Sequence, residues 1–194
     1  MGTRIGVLAL QGAFAAHRAV LDRIGAQSSE VRTPDDLDDV DALVLPGGES
    51  TTMSMLLESS LLFEPVGKRI ADGMPVLGTC AGMILLAHEV TDGRDDQRSF
   101  AALDIGVQRN AYGRQVDSFE TELSIRGSDA PFHAVFIRAP RIVRTGDDVE
   151  VLAEHAGTPV LVRSMSVMAA SFHPELTDDD RIHRLFIDQV RTTR

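Results

Sequence analysis

Two short motifs carry side chains that can do covalent chemistry. In Pro75-Val-Leu-Gly-Thr-Cys-Ala-Gly-Met83, a brief apolar run meets Gly78, then Cys80, then Gly82, ahead of the helix-compatible run Met83-Ile-Leu-Leu-Ala-His-Glu89. Strand, sharp turn and helix with Gly-x-Cys-x-Gly at the apex is the cysteine form of a nucleophile elbow. A helix starting at Ala81 would place free N–H groups and a positive dipole end beside the sulfur, favouring the reactive thiolate. The competing reading is a small buried hydrophobe, as most free cysteines are. In Ser171-Phe-His-Pro-Glu-Leu176, His173 and Glu175 lie two residues apart, so in an extended segment they point the same way. A carboxylate beside an imidazole fixes its tautomer and stabilises its cation, the third role in a nucleophile–base–orienter set. A surface His–Glu pair is the alternative. Zinc is not expected here, since no second His or Cys stands at ligand spacing.

A third stretch, Pro46-Gly-Gly-Glu-Ser-Thr-Thr-Met53, offers two adjacent glycines whose backbone can approach a ligand closely. Ser50 or Thr51 could cap the helix that follows. It is no phosphate loop, because the Gly-Lys-Ser/Thr ending is missing. Arg109-Asn-Ala-Tyr-Gly-Arg-Gln115 is too polar for a core strand, and fits either a salt-bridged surface loop or a ligand contact.

These residues need a frame to bring them together. The continuous apolar runs Arg4–Leu10 and Asp41–Leu45 read as strands buried on both faces. Between them, Ala13 to Ile24 has helical spacing stopped by Gly25, and a short strand covers roughly Ser28 to Arg32. β-α alternation through the first ~90 residues predicts a doubly wound, mostly parallel α/β sheet in three layers. Ligands in such sheets bind beyond the carboxyl ends of the strands, so the Gly47-Gly48 loop and the Cys80 elbow should share one rim. Beyond a polar loop at 93–99, closely spaced strands at about 105–108, 120–125, 134–137, 149–154, 159–163 and 167–172 predict added antiparallel strands. Thr177 should cap a terminal amphipathic helix, 178–190, with Ile182, Leu185, Phe186 and Val190 inward. His17, His88, His133, His155 and His183 read as surface or helix residues. No repeat or linker divides the chain, so residues 1–194 are expected to form one domain.

With 194 residues, 43% of them hydrophobic, the chain can build one sizeable core. A net charge of −10 speaks against nucleic acid as a partner. The acidic runs at 35–39 and 177–180 read as solvated loops or helix starts. No apolar stretch reaches membrane-spanning length, so no membrane is expected, and the N-terminus lacks a long apolar segment and a myristoylation signal. A single cysteine forms no internal disulfide and suits a reducing, cytoplasmic setting.

Together, Gly6-Val-Leu-Ala-Leu-Gln-Gly12, Pro46–Thr52, Gly78–Gly82, Arg109–Gln115, Asp117-Ser-Phe-Glu120, Phe136-Ile-Arg-Ala-Pro140 and Phe172–Leu176 resemble one family. It is that of the glutaminase subunits of pyridoxal 5′-phosphate synthases, class I glutamine amidotransferases. The elbow and His-Pro-Glu indicate the class; Gln11-Gly12, Glu49-Ser50-Thr51 and Arg109–Gln115 narrow it. The resemblance runs from residue 4 to about 190. Ala15-Ala16 and Tyr112 are its less typical positions.

The resemblance implies that Cys80 attacks the glutamine amide, that His173 protonates the departing ammonia and activates water, and that Glu175 orients His173. It implies oxyanion donors on Ala81 and in the Gly47-Gly48 turn, and glutamine contacts from Gly48, Glu49, Ser50, Arg109, Ile137 and Arg138. Ammonia would pass to a bound pyridoxal 5′-phosphate synthase (lyase) subunit, and this chain itself would hold no cofactor. Because unsupervised hydrolysis would waste glutamine, the isolated chain is expected to be a weak glutaminase, gated by the orientation of the Gly47–Gly48 peptide, with docking near Gln11-Gly12 and the first helix. Two other readings remain at this stage: a Cys-His-Glu hydrolase or peptidase acting on another amide or ester, and a non-catalytic binding module that has kept the fold.

Overall fold

A computed structural model describes residues 3–94, 96–109 and 118–192. Residues 110–117, which include Tyr112 and most of the Arg109–Gln115 segment, lie outside the described residues. The first half runs β1 (Arg4–Leu8), α1 (Phe14–Arg23), β2 (Gln27–Val31), α2 (Pro34–Asp38), β3 (Ala42–Leu45), α3 (Ser50–Ser59), α4 (Phe63–Ala71), β4 (Val76–Thr79) and α5 (Ala81–Leu86). Then follow β5 (Ala87–Thr91), β6 (Leu103–Gln108), β7 (Phe119–Leu123), β8 (Phe132–Phe136), β9 (Arg141–Thr145), β10 (Glu150–His155), β11 (Thr158–Ser164) and β12 (Val167–Ala170). A 3-10 turn at Pro174–Leu176 and α6 (Arg181–Thr192) complete the described residues.

The main sheet has seven strands in the order β10-β11-β12-β4-β3-β1-β2. The five from β12 to β2 are parallel, and β11 and β10 extend them antiparallel. Alternate residues of a central strand enter opposite cores, as the two-residue period of a strand requires. Leu43 and Leu45 join one core with α3, α4 and α5, whereas Ala42 and Val44 join the other with α1 and α6. That makes three layers, which is why both strands read as unbroken apolar runs. Two small sheets, β5-β6-β9 and β7-β8, carry the rest of the second half.

The structure differs from the sequence expectations at four places. The run 83–89 is split: α5 ends at Leu86, and Ala87 turns extended (φ −64°, ψ 143°) to begin β5 beside β6. β9 was not expected, because in Arg-Ile-Val-Arg-Thr only Ile142 is buried and no alternation marks a strand. Strand β12 stops at Ala170, two residues short, because Ser171 N–H turns to the carbonyl of Val160 and His173 N–H to that of Val135. Finally, α6 starts at Arg181 rather than 178, since the Asp179 carboxylate accepts from Arg181 N–H (3.1 Å) and Thr177 caps nothing in it. Thr33 and Asp36 form a capping box that makes α2 out of the first acidic run. None of the described helices is long and apolar enough to cross a membrane.

Candidate active site

Because β12, β4, β3 and β1 are neighbours and parallel, their carboxyl ends lie side by side. The segments leaving them carry His173, Cys80, Gly47-Gly48 and Gln11-Gly12 in that spatial order. A cavity of about 440 Å³ opens there. It is lined by Gly47, Gly48, Glu49, Ser50, Cys80, Ala81, Arg109, Ile137, Arg138 and His173, among others. Every expected site residue except Glu175 therefore faces one space, and Glu175 sits directly behind His173.

Cys80 stands between β4 and α5 with φ 50° and ψ −105°. A non-glycine residue held there costs about 1–3 kcal/mol, a strain typical of functional turns. The surrounding backbone imposes it: Cys80 N–H bonds to Ala170 of β12 (2.8 Å), while its carbonyl accepts from Met83 and Ile84 in α5. A Cβ on Gly82 would collide with the Leu45 carbonyl of β3, so only glycine lets α5 cross the sheet this closely. That is the steric content of Gly-x-Cys-x-Gly. Likewise, a Cβ on Gly47 would drive into the His173 ring (3.0 Å from Nδ1), so the glycine turn makes room for the imidazole.

His173 and Glu175 are joined by a 2.7 Å Nδ1–Oε1 hydrogen bond. The expected extended segment is absent. His173 has φ −109° and ψ 85°, and Pro174 opens a 3-10 turn that folds the carboxylate back under the ring. Both side chains are nearly buried, with 8% and 6% of the residue exposed. Burial alone would lower His173, but hydrogen bonds and charge from Cys80 and Glu175 raise it to about 10. With Nδ1 held by Glu175, Nε2 is left for the sulfur. For Glu175 burial would raise the carboxyl, yet His17 and His173 hold it below its ordinary value.

Glu49, not Ser50 or Thr51, caps α3: its carboxylate accepts from Thr51 N–H (3.1 Å) and Thr52 N–H (2.7 Å). Ser50 and Thr51 instead reach Gln97 Oε1. Burial opposes the Glu49 charge, but bonds from Thr52 and Thr51 and the Arg109 guanidinium bring its carboxyl down to about 2. Arg109 is engaged by Glu49, by Thr51 Oγ1 (2.7 Å) and by Gln97 Oε1 (3.3 Å). Arg138, exposed on the cavity wall with φ 43°, makes no ion pair among the described residues. In the glycine turn, Ala13 N–H donates to the Gly47 carbonyl (3.0 Å) and Glu49 N–H to Gln11 Oε1 (3.0 Å). The trans peptide then points the Gly48 N–H away from α1.

Two of the helix histidines are not surface residues. His17 of α1 and His183 of α6 are wholly buried, and His17 Nε2 lies 3.3 Å from Glu175 Oε2. His88 is exposed and His155 half-buried, while His133 sits at the surface between Glu120 and Glu122. No cluster among the described residues could hold a metal ion.

Comparison with known proteins agrees with this architecture. A relative from Mycobacteroides abscessus, the pyridoxal 5′-phosphate synthase subunit PdxT, is 55% identical over 98% of this chain and 99% of its own. The same subunit from Salinispora arenicola is 56% identical over 96% of each chain. A solved glutamine amidotransferase superposes with a TM-score of 0.90 at 47% identity, covering 96% of this chain and 98% of its own. The model of the SNO glutamine amidotransferase family matches residues 7–192, and this chain belongs to that family.

Proposed function

We propose that this chain, as a single glutaminase domain, hydrolyses L-glutamine to L-glutamate and ammonia, and hands the ammonia to a pyridoxal 5′-phosphate synthase subunit. The observation that carries the chemistry is the meeting of Cys80 and His173 at one cavity, with Glu175 hydrogen-bonded to His173 from behind. Cys80 attacks the side-chain amide carbon as the thiolate, and the developing oxyanion is received by N–H groups of Ala81 and the Gly47-Gly48 turn. The C–N bond breaks, and ammonia leaves with the proton of His173, which its raised pKa keeps available at neutral pH. Water then gives a proton back to His173 and attacks the thioester; the C–S bond breaks and glutamate departs. Glu175 orients His173 throughout. Arg138 supplies the charge for the substrate carboxylate. Gly48, Glu49, Ser50, Arg109 and Ile137 complete the pocket, with Arg109 acting through the Glu49 pair.

The names of the relatives carry the proposed partner, and chemistry supports it, because ammonia released into neutral water would become ammonium. Activity should depend on docking. The residues that begin α1 also hold the Gly47 carbonyl, so a partner seated near Gln11, Gly12 and α1 can bias this peptide. One oxyanion donor is worth roughly 3–4 kcal/mol of transition-state stabilisation. The test is glutamate release with and without saturating synthase subunit, for wild type and for Cys80→Ala. The complex should turn over glutamine, and Cys80→Ala, folding normally, should fall below about a tenth of it. Equal kcat with and without synthase would remove the gating. No glutamate from the complex would remove the glutaminase reading itself.

A further inference from the structure

The buried polar chain does not stop at Glu175. One carboxylate oxygen, Oε1, is taken by His173; the other, Oε2, is buried and makes no hydrogen bond among the described residues. Beside it, at 3.3 Å, is His17 Nε2, which also lies 3.1 Å from Thr79 Oγ1. His17 Nδ1 lies 2.9 Å from His183 Nε2, and both rings are fully buried.

Counting protons fixes the arrangement. A bare Nε2 lone pair would face the Glu175 Oε2 charge at 3.3 Å, so the hydrogen belongs on His17 Nε2, donated to Thr79 Oγ1 with the carboxylate close beside it. Neutral His17 then has a bare lone pair at Nδ1, and the 2.9 Å contact requires the hydrogen on His183 Nε2. His183 Nδ1 becomes a bare acceptor, and that buried atom has no hydrogen-bond partner among the described residues. Burial favours neutrality in both rings: it outweighs the attraction of Glu175 at His17, and brings His183 down to about 3. A neutral His17 acts on Glu175 as an N–H dipole, beside the full charge of His173.

We propose that His17, its tautomer fixed by His183, is a positioning residue that holds Glu175 so that Oε1 meets His173 Nδ1. The role rests on the glutaminase reading above. Two buried imidazoles and an unpartnered nitrogen are a poor choice for filling a core, since apolar side chains would do so without the desolvation. Thr79 could be satisfied by water or another hydroxyl, whereas the buried Glu175 carboxylate gives a histidine at this place a reason. Placement on α1 adds a link, because the same helix begins beside Ala13, which holds the Gly47 carbonyl.

The experiment compares His17→Leu, His17→Asn and His17→Gln in the glutaminase assay with synthase present. Glutamine can place an N–H where Nε2 stood; asparagine is too short, and leucine has none. The expected result is a loss of about tenfold to a hundredfold in kcat for Leu and Asn, the range for outer-layer partners of reactive groups, with KM little changed and Gln restoring most of it. Equal kcat in all variants, or a loss confined to KM, overturns the role. If Leu does not fold, the Gln–Asn contrast decides. Nitrogen NMR of the histidine-labelled wild-type chain supplies an arm independent of folding and turnover. It should show neutral His17 with hydrogen on Nε2, and an imidazolium or the Nδ1–H form overturns the assignment. Wild type failing to release glutamate would instead sink the glutaminase reading.

Discussion

At Glu175 a buried carboxylate is kept ionised against its own desolvation, and the ionised form is what His173 needs. Replacing it by Gln keeps shape and removes charge. Glu175→Gln should therefore cost on the order of a hundredfold or more in kcat, as neutral orienters do in nucleophile–base sets. A second signature follows from sign. His173 is raised to about 10 partly by Glu175, so without that charge it loses its proton at lower pH. The descending limb of the pH–rate profile should move to lower pH in the variant. A nearly silent Glu175→Gln would place the orienter elsewhere. At this scale the sequence was legible wherever the constraint is local. Gly-x-Cys-x-Gly is a statement about clashes within a few residues, and it identified the elbow. His-Pro-Glu identified the pair, although a 3-10 turn and not an extended strand joins them. His17 could not be read this way, because nothing in Phe14–Arg23 says which distant carboxylate its ring will meet.

The elements position the site through close crossings, and α5 shows the most severe one. It is six residues long, wholly buried, and apolar on every side, so it has no amphipathic signal to mark its end. The sequence therefore does not mark its C-terminus, whereas glycine and cysteine at the elbow mark its N-terminus. The crossing makes a prediction whose sign is opposite to propensity. In an exposed helix, Gly→Ala stabilises by about 0.5–1 kcal/mol. At Gly82 the added methyl meets the Leu45 carbonyl, a backbone atom that cannot swing aside. Gly82→Ala should destabilise by roughly 1–3 kcal/mol or more and reduce activity further by displacing Cys80. Urea denaturation midpoints measure the first effect. A variant as stable as wild type would mean that α5 does not cross β3 this closely.

Across the whole molecule, alternation of residues between two cores explains why the parallel centre was legible and the periphery less so. Strands buried on both faces announce themselves by composition, while β5 and β9 of the small sheet are half-exposed and depend on partners far along the chain. The two-core plan also places His17 and His183, from the first and last helices, beneath the active rim. That placement makes stability depend on pH. Both histidines are held below their ordinary values, so between about pH 6.5 and the lower folded values the unfolded chain binds protons that the folded chain does not. Their contribution is fully present above 6.5 and is lost as pH falls through this window, at about 1.4 kcal/mol per pH unit for each histidine that stays neutral. Arg23 pushes His183 the same way, whereas Glu175 and Asp180 oppose it. His173 acts on the other side: its proton stabilises the fold below 6.5, and that is lost as pH rises through about 10. Glu175, held low, adds to the acid loss only at still lower pH. Unfolding free energies measured in urea should thus peak near neutrality and decline from pH 6.5 to 5. His183→Leu should flatten that decline by about one proton's worth of slope. An unchanged slope in a folded His183→Leu chain would show that His183 is not buried neutral, and would leave His17 as the source of the acid sensitivity. The surface His133 is not that source, because Glu122 and Glu120 raise it, so it stabilises the fold on acidification, and solvent screens it.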